Sequence, residues 1–178
     1  LAASSSTILG GSGADTLVFT TGADLITSSI SGGADNDSLA FSVAATSSTS
    51  IAGGGGDDTF VFNSSVGGAS ISLDSGADSV SFVTKVSGAT MIGGGGTQTV
   101  DFTAFSDFVS FDGVIGGGSI SGGAGADTFY FVDGGEVRGS TFRGDTGADS
   151  LTFGGTTVTT AQFGLGDAAD YLGGSISV

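Results

Sequence analysis

Seventeen aspartates carry almost all the chemistry this sequence can offer, and twelve of them fall inside eight short windows. The windows are GGSGAD (10–15), GGADND (32–37), GGGGDD (53–58), LDSGAD (73–78), GGGGTQ (93–98), GGAGAD (122–127), GDTGAD (144–149) and LGDAAD (165–170). A glycine-rich turn can aim its backbone carbonyls inward, and an aspartate adds charge. That donor set suits a hard cation that takes oxygen ligands. Stacked rows of carboxylates would repel one another without one. The candidate ligands are Gly10, Gly11, Gly13 and Asp15, then Gly32, Gly33, Asp35 and Asp37, then Gly53, Gly54, Gly56 and Asp58. Asp78 follows, then Gly122, Gly123, Gly125 and Asp127, and finally Asp145 and Asp149. Metal is expected between the first three turns and between the sixth and seventh. It is not expected around the fifth, which has lost both acidic residues. Asp101, Asp112 and Asp133, outside the windows, read as solvated.

The rest of the inventory excludes several functions. The chain has 178 residues, 36 of them glycine, and no Pro, Cys, His or Trp. A net charge of −15 excludes nucleic-acid binding through a basic face. Thiol chemistry, zinc fingers and histidine-based triads have no residues to use. No apolar run approaches the roughly 18 residues of a membrane helix, so membrane insertion is not expected. Paired carboxylates are the only acid–base route left, and no singular cluster breaks the repeat as an active site would, so the expectation is no enzyme. The least repetitive stretch, DGGEVRGSTFR (133–143), holds the single Glu and both arginines, and reads as a longer turn with a surface ion pair. With 38% apolar residues and 14 Phe, disorder is excluded; without Pro, so is collagen.

The elements that position the turns repeat with them. Asp15, Asp37, Asp58, Asp78, Gln98, Asp127, Asp149 and Asp170 are separated by 22, 21, 20, 20, 29, 22 and 21 residues. The long interval contains SDFVSF (106–111), nine residues after TQTVDF (97–102), so a nine-residue half-unit lies inside it. Two strand signals recur per unit. In one, an apolar residue and a Phe lie two apart, as in Leu17/Phe19, Phe60/Phe62, Val80/Phe82 and Phe129/Phe131, and share a face. The other carries Ile8, Ile30, Ile51, Ile71, Met91, Ile120 and Thr141. The fold expected is all-β, a parallel β-roll or β-solenoid of about eight coils, with two short strands in each coil of 20–22 residues. Thr16, Ser38, Thr59, Ser79, Thr99, Thr128 and Ser150 should form one outward hydroxyl row, with Val18, Val61 and Tyr130 giving lateral contact surface.

GGSGADTLV (10–18), GGADNDSLA (32–40), GGGGDDTFV (53–61) and GGAGADTFY (122–130) resemble the GGxGxDxUx nonapeptide of the repeats-in-toxin (RTX) family. The resemblance covers almost the whole chain. It implies Ca²⁺ as the cation, bound in a parallel β-roll, and export in an unfolded state by type I secretion, with folding in the calcium-rich medium outside. The absence of Cys agrees with that route. Strict tandem nonapeptides place a calcium turn on both sides of the roll. Here the motif appears about once per coil, so one row of sites is expected. The reading is a calcium-stabilised structural module of a secreted bacterial surface assembly, similar to surface-layer proteins and large adhesins. The alternative is a folding and export module of a secreted enzyme or toxin. Expected partners are further repeats, a second copy, or a cell-surface polysaccharide. With a start at Leu1 without Met and an end at Ser175–Val178 that resembles the opening of another coil, the single domain 1–178 is expected to be part of a longer repeat protein.

Overall fold

The computed structural model describes residues 3–177 apart from 21, 23, 47, 95, 103, 104, 106, 133–135, 160, 165 and 167–170. The chain is an all-β parallel solenoid of about seven turns with two parallel sheets. The eighth expected coil rests on the window 165–170, which lies almost wholly outside the described residues, as do Asp133, Asp170 and Val178.

Alternation with a period of two builds both sheets. The strands that follow each turn, Thr16–Phe19, Ser38–Phe41, Thr59–Phe62, Ser79–Phe82 and Thr99–Phe102, stack in parallel. Their register places Leu17, Leu39, Phe60, Val80 and Val100 in one internal row and Phe19, Phe41, Phe62, Phe82 and Phe102 in another. The five phenylalanine rings stack 4.7–4.9 Å apart and within 12° of parallel. The strand spacing of about 4.8 Å imposes that separation. The strands that precede each turn, Thr7–Ser12, Ser29–Ala34, Ser50–Gly55, Ser70–Ser72 and Val86–Ile92, line up Ile8, Ile30, Ile51, Ile71 and Met91 opposite.

The nine-residue half-unit then changes the phase of the coil. Phe108–Asp112 joins Val86–Ile92, setting Phe111 beside Met91 in the isoleucine row. Ser119–Ser121 joins Thr99–Phe102 and sets Ile120 beside Val100. From there on the phenylalanine strands Thr128–Phe131 and Ser150–Thr159 continue the sheet of Val86–Ile92, and Thr141–Arg143 and Gln162–Gly164 continue the sheet of Thr99–Phe102. Half a coil has been inserted. The core accepts the exchange because each sheet asks only for an apolar residue at every second position. The rings record it: Phe102 and Phe129 meet at 5.5 Å with planes 49° apart, and a new stack runs Phe111, Phe131, Phe153 at 4.9 Å.

Three sequence expectations need correction. In the seventh unit Phe142 faces inward, stacked on Phe163 at 5.4 Å, while Thr141 pairs with Ser119 on the outer side. The hydroxyl row is not single. Thr16, Ser38, Thr59, Ser79 and Thr99 continue through Ser119 and Thr141, whereas Thr128 and Ser150 lie on the other sheet. Val18 is exposed as expected, but Val61 and Tyr130 are half-buried. The edge opposite the early turns also carries its own buried row, Leu25, Ala45, Val66 and Val86. After the phase change, Ile115, Val137 and Val158 form the matching row on the other edge.

Candidate metal centre

In every described turn but the one ending at Gln98, the last residue is an aspartate whose carboxylate points into the coil. Through Oδ1 it accepts the backbone N–H of its equivalent one coil earlier. Asp37 accepts from Asp15 at 2.7 Å, Asp58 from Asp37 at 2.8 Å, and Asp78 from Asp58 at 3.0 Å. After the half-coil insertion Asp107 accepts from Val86 at 2.7 Å, Asp127 from Asp107 at 2.8 Å, and Asp149 from Asp127 at 2.9 Å. Asp37, Asp58, Asp78, Asp107, Asp127 and Asp149 are all buried, Asp127 completely. Asp15 is half-buried.

The glycines of the motif serve two separate purposes. Gly10, Gly32, Gly53 and Gly122, at the first position, do not need a positive φ. A Cβ at each would run into the carboxylate of Asp15, Asp37, Asp58 or Asp127 respectively, so glycine there makes room for the acid. The second and fourth positions need the left-handed backbone. Gly11, Gly33, Gly54 and Gly123 have φ from 85° to 125°, and Gly13, Gly56 and Gly125 from 98° to 156°. Three aspartates take this conformation in place of glycine: Asp35 (φ 75°), Asp74 (φ 56°) and Asp145 (φ 68°). Asp is among the few residues that tolerate it. These three stay out of the inner row. Asp35 is exposed and accepts from the Gly13 N–H at 3.0 Å, Asp74 accepts from Ser72 Oγ at 2.6 Å, and Asp145 accepts from Ser121 Oγ at 2.5 Å.

The second carboxylate oxygen has no such role. Oδ2 of Asp15, Asp37, Asp58 and Asp127 is buried and makes no hydrogen bond. A buried carboxylate oxygen without a donor is costly to leave as it is. Burial raises Asp58 above the ordinary carboxylate range, against the lowering effect of the Asp37 N–H and with help from the neighbouring charges of Asp78, Asp37 and Asp74. Burial likewise pushes Asp127 up to about 7, with Asp107, Asp149 and Asp145 adding like charge. Asp107 is raised by burial too, although the Val86 N–H and the Lys85 ammonium work the other way. Either a proton or a cation relieves such a row.

The half-coil insertion divides the acids. Asp15, Asp37, Asp58 and Asp78 lie on one edge of the solenoid, and Asp107, Asp127 and Asp149 on the opposite edge, so the expected single row is two shorter ones. Asp107 was not among the sequence candidates because its turn lacks the glycines. The recurrent Asp-x-apolar-x-Phe tail of SDFVSF was the signal that could have found it. Asp101 and Asp112 are exposed, as expected. Among the described residues no three acidic side chains converge on one point. A cation in either row would therefore take carboxylates from at most two residues and its remaining oxygens from backbone carbonyls. The all-oxygen donor set fits Ca²⁺, and the residues that would hold it are the turn carbonyls with Asp37, Asp58 and Asp127.

At the change of edge a groove of about 870 Å³ is lined by turn glycines, Thr97, Val114 and Arg138. The Arg138 guanidinium is bound to Glu136 at 2.6 Å, the ion pair expected of this segment, and holds that carboxyl below its usual range. No protein-family model, curated protein or solved structure matches the chain.

Proposed function

We propose that this chain is a calcium-stabilised structural repeat module of a secreted bacterial surface assembly, of the kind built from RTX-like repeats. The observation that carries the reading is the pair of stacked rows of buried aspartates, each with one carboxylate oxygen paired along the row and several with the other oxygen bare. A net charge of −15 on a glycine-rich chain opposes folding in the absence of a counter-ion, through self-repulsion and backbone entropy. Low cytosolic Ca²⁺ would leave the chain open for export, and millimolar external Ca²⁺ would close it by linkage. Regular phenylalanine and isoleucine stacks running along the coils support a scaffold. No helix among the described residues is long and apolar enough to cross a membrane. Outward Leu9 and Val18, 67% and 56% exposed, give a second copy or an adjoining repeat an apolar surface to meet. A cell-surface polysaccharide is a second class of partner for the flat hydroxyl faces.

Far-UV circular dichroism and light scattering, in chelator and then through a Ca²⁺ titration with Mg²⁺ as control, test the reading. A coil-to-β transition specific to Ca²⁺, with a rise in scattering, supports the surface module. The transition without scattering favours the export module. A β spectrum indifferent to chelator overturns the calcium reading.

A further inference from the structure

Ser and Thr make up most of the outward face of both sheets, and at one place that pattern breaks. Phe108, 47% exposed, and half-buried Tyr130 face outward from adjacent strands of the sheet that carries Val86–Ile92. Among the described side chains they are the only outward aromatic residues of the two sheets. The register sets Phe108 beside Thr128, two residues before Tyr130, so their Cα atoms are diagonal neighbours about 8 Å apart. Tyr130 lies along the sheet rather than standing on it. A Cβ on Gly154, in the next strand, would fall 2.5 Å from the Tyr130 Oη. Ser110 and Thr152 flank Tyr130, and exposed Asp112 ends the strand of Phe108.

This face runs into the groove at the change of edge. Gly113, directly after Asp112, lines that groove with Val114, about 16 Å along the chain from Phe108. Arg138 lines it too, held by Glu136 through Nε and Nη2, both at 2.6 Å. Among the described residues Nη1 has no partner, so the pair is neutral as a unit and still offers donors to the groove. The face of an aromatic ring is electron-rich and suits the apolar, weakly positive C–H face of a sugar ring. Hydroxyls, a carboxylate and a guanidinium suit the sugar's own hydroxyls. An acidic glycan is disfavoured, because the chain carries −15 and the groove's guanidinium is already neutralised. We propose that the outer face from Phe108 through Tyr130 to the Arg138–Glu136 groove is one continuous track for a neutral polysaccharide.

The inference rests on the polysaccharide reading above and is independent of calcium. Affinity electrophoresis of the folded full chain tests it, in gels holding β-glucan, mannan, galactan or dextran, with alginate as the acidic control. At least one neutral polysaccharide should retard the wild type, and alginate should not. Phe108→Ser and Tyr130→Ser, which extend the hydroxyl pattern of the face, should each weaken binding about ten-fold. Arg138→Gln should weaken it several-fold, and Leu9→Ser, at the far end of the same sheet, should leave it unchanged. A retarded wild type with every variant equal to it overturns the track and leaves the polysaccharide reading standing. Retardation by no neutral polysaccharide, or by alginate alone, overturns both. A loss confined to the aromatic variants, or to Arg138→Gln, overturns the continuity of the track. Should Tyr130→Ser not fold by circular dichroism, Phe108→Ser and Arg138→Gln decide the outcome.

Discussion

Asp58 accepts the backbone N–H of Asp37 through Oδ1 at 2.8 Å, while its Oδ2 lies inside the turn against the Cα of Gly53, without a hydrogen bond. One carboxylate is therefore half a structural cap and half a charge in need of a partner. The two halves can be separated by substitution.

Asp58→Asn keeps the shape and an acceptor for the Asp37 N–H but removes the charge. In chelator it should match or exceed the wild type in stability, and in millimolar Ca²⁺ it should gain less from the ion. Asp58→Ala also strands a buried N–H, at a cost of about 1–3 kcal/mol. Asp101→Ala, at an exposed site, should stay within about 0.5 kcal/mol of wild type. Urea unfolding of the three variants, with and without Ca²⁺, measures this. Equal calcium responses in Asp58→Ala and Asp101→Ala would remove the turn aspartate as a ligand.

The acid rows reverse the usual pH dependence of a carboxylate. Burial raises Asp127 to about 7 in the folded chain, far above the unfolded range near 4, so the metal-free fold prefers the protonated acid. Stability from this group is complete below about pH 4 and is lost as the pH climbs through about 7. Thermal melts in chelator should therefore fall between those limits, by several degrees in total. Asp127→Asn should flatten the slope, and saturating Ca²⁺ should abolish it. Melting temperatures that rise with pH in chelator would contradict the burial of these groups.

Gly53 is glycine because of the acid five residues later. Its missing Cβ would meet Asp58 Oδ2 and lie 3.1 Å from both Asp58 Cγ and Phe60 Cζ. Gly53→Ala should cost about 1–3 kcal/mol, the usual range for overpacking. In an Asp58→Ala background much of that cost should vanish, because two of the three obstructing atoms are gone. A double-mutant cycle by chemical denaturation gives the coupling. No coupling would mean that the glycine is there for the backbone alone.

Phe62 stacks between Phe41 and Phe82 at 4.7 and 4.9 Å and is buried, whereas Phe108 is 47% exposed on the outer face. Truncating Phe62 to Ala should cost about 3–5 kcal/mol in chelator and in Ca²⁺ alike. The same change at Phe108 should be mild. Calorimetry of both variants distinguishes a core ladder from a calcium-organised shell.

Much of this fold was legible because its signal repeats. The spacing of Asp15, Asp37 and Asp58 gave the coil, and pairs such as Phe60/Phe62 gave the inward face, since side chains two apart in a strand must agree. The nine-residue half-unit in SDFVSF was legible too. Its consequence was not, because an apolar residue at every second position suits either sheet and nothing local says which one Phe108–Asp112 will join. Thr141 stood for its neighbour Phe142 because TFR offers two residues at the right distance from the turn, and only the stack on Phe163 settles the register. The glycine–aspartate motif located the row aspartates other than Asp107, but its spacing alone said nothing of why Gly32 or Gly53 is glycine. That reason is steric and lies in a carboxylate five residues away.

The half-coil insertion has a consequence for how such chains can diverge. Gaining or losing one half-unit leaves the interior satisfied, yet it rotates every downstream turn by half a revolution about the rod. Outward-facing residues can thus be moved from one flank to the other by copy number, with no change to the turns themselves. A lineage that edits its repeats in this way can redraw the outer pattern of the rod many times while inheriting the same hydrophobic spine.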